Sequence, residues 1–395
     1  MADTRKASRF IVPVAVAGVA AATIGLVPAL AAAGDPDLPE ITAQQLIEKI
    51  AASDTQTLSG TFRISTDLGL PLDGLADLGG LAGGAGGSST ADPTEKLTEL
   101  VSGTHTLRVA ADGPDRQKLT LLDGSDEYSL IHNGADVWAY DSKSKEVFHE
   151  KGAGEGAPEG HDRQVPATPK ELADEILKAA GDTTSLTVDG TAKVAGRDAY
   201  QLLIKPKQSG STVESIKIAV DAGTGTPLKF TLASVEGGKP VVDAGFTKVD
   251  FGKPSASVFD FKVPEGAKVT EGSDAAEEKL PADVEKDLAE LEKGFGPGGL
   301  AGFGDLGKGG GLNVIGEGWT TIAKLDSGAP APKTDEAPKE IQGLLDSFGD
   351  KVTGTFGSGT VFKTKLVNAL LTDDGKVYVG AVTQDALVNA ANAGK

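Results

Sequence analysis

The residues best suited to acid–base or metal chemistry in this sequence are its four histidines. They are His105, His132, His149 and His161. The first three fall at or beside predicted strand positions among Thr, Asn and Glu, with no H-E-x-x-H pair or other ligand spacing. The sequence therefore predicts surface histidines and no metal site.

A second candidate is the run G-F-G-D-L-G-K at 302–308, which nearly spells a phosphate-binding loop. Such a loop needs a preceding strand and a Ser or Thr after the lysine to hold Mg²⁺, whereas this run follows no predicted strand and continues with Gly309. The chain contains no G-x-S-x-G nucleophile elbow and no cysteine, which excludes thiol nucleophiles, disulfides and thiolate metal sites. We therefore predict no catalytic residue, no cofactor and no metal, and a binding protein rather than an enzyme.

Composition excludes further classes of partner. The net charge is −19 at pH 7, which argues against nucleic acid and against electrostatic docking on an anionic bilayer, because both need clustered Lys and Arg. At 395 residues the chain is long enough for two domains plus tails. Only 5% of residues are aromatic and 53 are glycine, which favours a β-rich chain with long loops.

Residues 1–33 have the pattern of an export signal. Basic residues precede an apolar run, and A-x-A sites follow at 29–31 and 31–33. We expect cleavage there and a location in the cell envelope or outside the cell. The alternative is an uncleaved anchor, because the apolar run is long enough to span a bilayer of about 30 Å.

Alternating apolar residues predict the elements that would form a binding surface. The stretch 215–232 predicts two strands joined by a glycine-containing turn, each with one apolar and one polar face. Similar hairpins recur on both sides of it, with Asp-Gly and Asn-Gly turns between residues 104 and 150. Because no crossover helices separate these strands, the pattern favours an antiparallel, strongly curved sheet.

Two amphipathic helices interrupt the strands. The first has a capping box of Thr42 and Gln45, and the second spans about 168–181. Two helices are too few for a separate layer, so we expect them to cover one concave face. The Gly/Leu-rich stretch 68–92 predicts either a mobile surface insertion or a flap over an apolar groove.

The order of several segments resembles the LolA-like superfamily of bacterial lipoprotein carriers and RseB-like regulators, over about residues 40–270. The most specific matches are D-x-x-T-G-x-P-L at 221–228 and V-F-x-F-x-x-P-x-G-x-x-V at 258–269. The resemblance implies an unclosed β-barrel, capped by helices, whose apolar concave face receives acyl chains without catalysis. One feature departs from the family: its early-strand Arg-Pro followed by aromatics is replaced here by G-P-D-R-Q at 113–117.

The fold class predicted is thus mainly β with helices (α+β), an unclosed antiparallel barrel with a small second unit. Four regions are expected: the signal peptide 1–33, a lipid-binding half-barrel domain at 34–270, an acidic and Gly-rich linker at 271–311, and a small α+β domain at 312–395.

The candidate site is the wall of a lipid cavity built from alternating apolar side chains. The chain offers ten for this role: Phe62, Leu119, Leu121, Trp138, Tyr140, Ile216, Ile218, Val220, Phe230 and Leu232. The same pattern also fits a filled core. A curved sheet with only two short helices leaves more concave surface than they can fill, which favours a cavity.

Three functions remain open at this point. The first is an exported protein that shelters a lipid or lipoprotein acyl chain, with a carrier role in the cell envelope. The second is an RseB-like sensor that also binds a membrane-protein partner. The third is an envelope module with a filled core and no lipid.

Overall fold

A computed structural model describes residues 35–69, 103–151, 177–178, 180–271, 312–326 and 349–394. The described residues form two sheets. Strands of the large sheet are β1 (Thr57–Thr66), β2 (Gly103–Asp112), β3 (Arg116–Asp123), β4 (Asp126–Asn133), β5 (Asp136–Asp141), β6 (Glu146–Lys151), β7 (Thr184–Val194), β8 (Arg197–Pro206), β9 (Val213–Asp221), β10 (Pro227–Ser234), β11 (Val242–Asp250) and β12 (Lys268–Glu271).

The strand order in the large sheet is β12-β6-β5-β4-β3-β2-β1-β11-β10-β9-β8-β7. Its two ends, β12 and β7, are not joined, so the sheet is not closed into a barrel. β7 approaches β11, four places away in the order, which shows that this end of the sheet curls on itself. The prediction of a mainly β fold with an unclosed sheet is confirmed. The prediction of a purely antiparallel sheet is wrong in one place, because β12 pairs in parallel with β6.

The tight turns follow from the residues that the sequence puts there. Gly124 and Gly134 adopt left-handed backbone angles, with φ of 58° and 66°, between β3 and β4 and between β4 and β5. Positive φ is accessible to glycine at little cost and suits the twist of a two-residue hairpin. The Asp-Gly and Asn-Gly signals therefore place the hairpins where the sequence predicts them.

Alternation along the strands divides the large sheet into two faces. One face carries most of a core cluster, which joins Leu121 of β3 to Phe62 of β1 and to Leu232 of β10. We call this the inner face, and the other the outer face. Residues that pair directly across strands lie on the same face of the sheet. Ile64 lies opposite Ala244, which lies opposite Phe230, so all three are on one face.

One helix covers part of the inner face. α1 (Ala43–Ala51) begins with a capping box in which the Thr42 hydroxyl accepts from the Gln45 N–H and the Gln45 side chain accepts from the Thr42 N–H. Leu46 and Ile47 are buried against β8 and β9 in a second cluster. Of the predicted helix at 168–181, residues 177, 178 and 180 are helical, and residues 168–176 and 179 lie outside the described residues.

A second, smaller sheet follows. Its strands are β13 (Leu312–Ile315), β14 (Ile322–Asp326), β15 (Gly349–Gly354), β16 (Gly357–Phe362), β17 (Asn368–Thr372) and β18 (Lys376–Gly380), in the order β13-β14-β18-β17-β16-β15. α2 (Gln384–Ala393) packs on it, and the two enclose a cluster centred on Tyr378 and Leu387.

The two sheets are joined by several specific contacts. Ser211 and Val382 form an isolated antiparallel bridge, and the Thr383 N–H donates to the Gly210 carbonyl at 2.8 Å. Lys365 donates to Asp67 at 2.6 Å, and this hydrogen bond outweighs partial burial and lowers the pKa of Asp67. Chain segments far apart in sequence are therefore held together by backbone pairing and an ion pair.

Several sequence predictions fall outside the described residues. They are the export signal at 1–33, most of the Gly/Leu-rich insertion at 68–92, and most of the linker at 271–311.

Candidate functional site: the inner face of the large sheet

A continuous row of apolar side chains crosses the inner face from β2 to β6. Cross-strand pairing puts Val109 opposite Leu119, Leu119 opposite Leu130, Leu130 opposite Ala139, and Ala139 opposite Phe148. We call the four large members, Val109, Leu119, Leu130 and Phe148, the apolar row. All four are only partly buried while they pack against the core cluster.

The length of the row can be compared with that of an acyl chain. From β2 to β6 there are four inter-strand steps of about 4.8 Å, so the row extends roughly 19 Å across the sheet. One leaflet contributes about half of a hydrocarbon core of roughly 30 Å. The row is therefore long enough for one acyl chain to lie along it.

The inner face is filled elsewhere. On β1 and β11 the rings of Phe62 and Phe246 meet edge to face with centroids 4.9 Å apart, and both side chains are buried. At the β8–β9 end, α1 covers the sheet. Partly buried apolar side chains also occur on β8 to β11, such as Ile204, Ile216 and Phe230, but those on β2 to β6 form one row across neighbouring strands.

The ten residues predicted from sequence as a cavity wall separate into three sets. Six lie in or against the core cluster of the inner face: Phe62, Leu119, Leu121, Ile216, Phe230 and Leu232. Ile218 and Val220 continue the inner face but pack in the cluster beneath α1.

Trp138 and Tyr140 form the third set, which lies on the outer face. They alternate with Ala139, a buried member of the inner cluster. Phe261 covers both rings, at centroid distances of 5.3 Å and 6.0 Å. The sequence correctly groups these two residues with each other, but the structure does not bring them together with the other eight.

Behind Trp138 lies a buried imidazole. His149 stacks on the indole at 3.5 Å with an interplanar angle of 7°, and its Nε2 and Nδ1 are each 2.8 Å from a carboxylate oxygen of Asp136 and Glu271. Glu271 ends β12, so this histidine ties the parallel edge strand to the sheet. His149 is 3% exposed, whereas the sequence predicts a surface histidine, and that prediction is wrong.

The turn after β9 is organised around a buried carboxylate. Asp221 is 1% exposed and accepts hydrogen bonds from the Gly223 N–H at 3.0 Å and from the Thr224 N–H at 2.7 Å. The Arg197 guanidinium makes two further bonds to it and lies 4.7 Å from the ring centroid of Phe251. Burial by itself raises the pKa of Asp221, but the Arg197 and Thr224 hydrogen bonds outweigh it and hold the pKa below its usual range. The first residue of the D-x-x-T-G-x-P-L segment is thus structural.

The glycine of the same segment sets how closely the turn approaches α1. Gly225 has a φ of 76°, and a Cβ there would lie 2.3 Å from the Lys49 carbonyl oxygen. We expect Gly225→Ala to lower the free energy of unfolding by at least about 2 kcal/mol, because it adds a backbone clash to the cost of positive φ. Urea unfolding measures this.

Gly237→Ala is the matched control for Gly225→Ala. Gly237 has a φ of 71°, and nothing lies within 4 Å of the position that a Cβ would occupy there. Its substitution carries the conformational cost of about 1 kcal/mol without a clash. Equal losses in the two variants would show that contact with α1 is not the reason for this glycine.

One wall of the core cluster comes from the small sheet. Trp319 is 7% exposed and belongs to the cluster of the inner face, where Leu366 also packs. The Trp319 indole N–H donates to the Thr184 hydroxyl at 2.7 Å, and its backbone N–H donates to the Gln208 side chain at 3.0 Å. The small sheet therefore contributes side chains to the same apolar cluster that the row borders.

Sequence reasoning missed several members of this site. Val109, Leu130 and Phe148 share the alternation of Leu119, and applying the same period to every strand would have found them. No sequence signal would have found Trp319, because its place in the cluster depends on how the two sheets pack.

The described residues offer little for other chemistry. Among them no group of three or more His, Asp or Glu side chains is arranged to hold a metal ion. Within the same part of the chain, no helix is long and apolar enough to cross a membrane.

Comparison with solved structures returns several chains that are similar at low sequence identity. The structure of the Pseudomonas aeruginosa MucA/MucB complex matches with 15% identity, covering 88% of this chain and 96% of that chain, at a TM-score of 0.38. A LolA superfamily protein from Nitrosomonas europaea matches with 10% identity over 56% of this chain and 99% of that chain, at a TM-score of 0.21. The chain is similar to LolA-like proteins. A putative outer membrane lipoprotein-sorting protein domain from Vibrio parahaemolyticus matches with 11% identity over 55% of this chain and 95% of that chain, at a TM-score of 0.21.

The LolA-like resemblance noted in the sequence therefore recurs among solved structures. No protein-family profile and no curated protein sequence matches the chain. Because every reported TM-score is below 0.5, functional inference for this chain rests on its own residues.

Proposed function

We propose that this protein is an exported, non-enzymatic binding protein that shelters a lipid or lipoprotein acyl chain along the apolar row and carries it in the cell envelope. The observation that supports this proposal is the half-buried state of Val109, Leu119, Leu130 and Phe148 on one continuous inner face. Large apolar side chains are stabilised by being removed from water, and a bound acyl chain would complete that burial.

A second candidate function is a sensor that reports acyl occupancy to a membrane-protein partner. One observation favours it: Trp319 and Leu366, from the small sheet, pack in the cluster that the apolar row borders. An occupant of the row would press on that cluster, which gives a physical route from occupancy to the small sheet. A sensor of this kind would have two domains, a half-barrel at 34–270 that binds the acyl chain and a small domain at 312–395.

Both candidates are tested by native mass spectrometry of protein purified without detergent, followed by titration with fatty acids of increasing chain length. Burial contributes about 0.8 kcal/mol per methylene, so shortening the ligand by two methylenes should weaken binding roughly 15-fold. Absence of co-purified lipid, together with no affinity that depends on chain length, would contradict both functions and favour a filled core.

The same titration separates the carrier from the sensor. Trp138 and Trp319 are the chain's two tryptophans, so Trp138→Phe leaves Trp319 as the sole indole reporter. If the protein is a sensor, ligand binding should change the fluorescence emission of Trp319. If it is a simple carrier, ligand should bind without changing that emission.

A further inference from the structure

A group of cations lies on the outer face of the central strands. Lys248 of β11 is opposite Thr61 of β1, and Thr61 is opposite Arg108 of β2. Arg63 shares the face two residues along β1. Lys118 of β3 is a diagonal neighbour of Arg108, whose direct partner is Thr120. We call Arg63, Arg108, Lys118 and Lys248 the cationic face.

These four cations are unpaired within the described part of the chain. None of them forms a described ion pair or side-chain hydrogen bond there, in contrast to Lys229, which lies 2.8 Å from Asp243. Arg108 and Lys248 are exposed, and Arg63 and Lys118 are half-buried. Direct and diagonal neighbours on a sheet are about 5 and 7–8 Å apart, so like charges here repel one another. An external anion bound between the cations would reduce this repulsion.

The surroundings indicate what kind of anion fits. Thr61 and Thr106 separate the cations; the half-buried Leu122 lies opposite Thr106, and the buried Ile131 lies opposite Lys118. Three carboxylates border the face. Asp243 pairs with Lys229, Asp112 pairs with Arg116 and Lys253, and Asp250 accepts a hydrogen bond from the Gly252 N–H at 2.7 Å. Stable protein interfaces rely on exposed aromatic or apolar anchors that become buried, whereas Ile131 is already buried and Leu122 is half-buried. Arginine forks and lysine ammonium groups match phosphate oxygens.

We propose that the cationic face docks the protein on an anionic lipid bilayer through lipid phosphates. With a net charge of −19, the chain as a whole is repelled by such a surface, so docking requires this one orientation. The inner face is then turned away from the contact. This proposal does not depend on acyl binding, because it uses the other face of the sheet.

The test is co-sedimentation of the full chain with vesicles of phosphatidylcholine containing about one third phosphatidylglycerol, and with pure phosphatidylcholine vesicles. Each cation near an anionic surface favours binding by roughly five-fold, so changing all four to glutamine should weaken partition at least about 50-fold. Binding should also fall steeply when salt is raised from about 0.1 M to about 0.5 M.

The matched control removes the same charge from other exposed positions: Lys151, Lys205, Lys207 and Lys239 to glutamine. The double variant Arg108→Gln/Lys248→Gln affects only exposed side chains, and guards against misfolding of the quadruple variant. Retained binding by the control and loss by both test variants supports the proposal. The proposal would be overturned if test and control variants lost vesicle binding equally, or if the wild type bound neutral and anionic vesicles equally well. It would also be overturned if the wild type bound no vesicles but bound an immobilised acidic protein.

Discussion

Replacing Arg197 by alanine is expected to lower the free energy of unfolding by about 3 kcal/mol. The substitution leaves the carboxylate of Asp221, which is 1% exposed, without the guanidinium that neutralises it. It also removes the contact of the guanidinium with the Phe251 ring. We place the loss at the low end of the range for broken buried pairs, because the Arg197 side chain is itself 37% exposed and water can partly replace it. Urea unfolding at neutral pH measures the difference.

The matched control is Lys193→Ala on the same hairpin. Lys193 pairs with Asp198 at 2.5 Å, but both side chains are nearly half exposed. An exposed pair contributes little, so this variant should lose less than about 1 kcal/mol. Similar losses in the Arg197 and Lys193 variants would contradict a special role for the buried pair.

The pH dependence of the Arg197 effect has a definite sign. The pKa of Asp221 is lowered in the folded state, so the stability that it contributes is present above the unfolded carboxyl value of about 3.9. That contribution is lost as the pH falls through the lower, folded value. The wild type should therefore lose more stability than Arg197→Ala on acidification below about pH 4, and the gap between them should narrow.

Replacing Leu119 by glutamate is expected to weaken acyl-chain binding at least about 100-fold, because a bound chain would have to desolvate the new carboxylate in the middle of the apolar row. Leu119 is only partly buried, so the charged side chain can remain solvated in the empty protein. Titration with a long-chain fatty acid, followed by native mass spectrometry, measures the loss. Thermal unfolding establishes whether the variant is folded.

Leu122→Glu provides the control on the same strand. Leu122 lies three residues further along β3 and therefore on the outer face. This variant should bind acyl chains as the wild type does. Loss of binding in both variants, or in neither, would count against the inner face as the binding surface. Ile218 is a poorer test position, because it packs beneath α1 and a charge there would disrupt the core.

Short-range features of the fold are readable from the sequence. The capping box of Thr42 and Gln45 and the glycine turns at 124 and 134 form as expected, because each depends on residues three or four positions apart. Strand alternation likewise groups Leu119 with Leu121, and Trp138 with Tyr140, since neighbours along one strand fix a common face.

The register between neighbouring strands could not be predicted from such local patterns. The sequence places Trp138 and Leu119 in one wall, but the pairing of Leu130 with Ala139 rather than with Trp138 puts the two residues on opposite faces. A shift of one residue in register exchanges the faces of a whole strand, and no local pattern specifies that register. The burial of His149 depends on Asp136 from one neighbouring strand and Glu271 from the other.

The sequence by itself determined that this chain is β-rich, has apolar strand faces, and contains neither cysteine nor a G-x-S-x-G motif. Tertiary structure alone decided which apolar faces join into one surface, how Trp319 enters the cluster, and that four cations gather on a chain of net charge −19. The physical reason is that composition is a sum over all residues, and periodicity describes the order of residues along a single strand. A site, by contrast, is made by side chains brought together across strands, and its position depends on register and on the packing of one sheet against another.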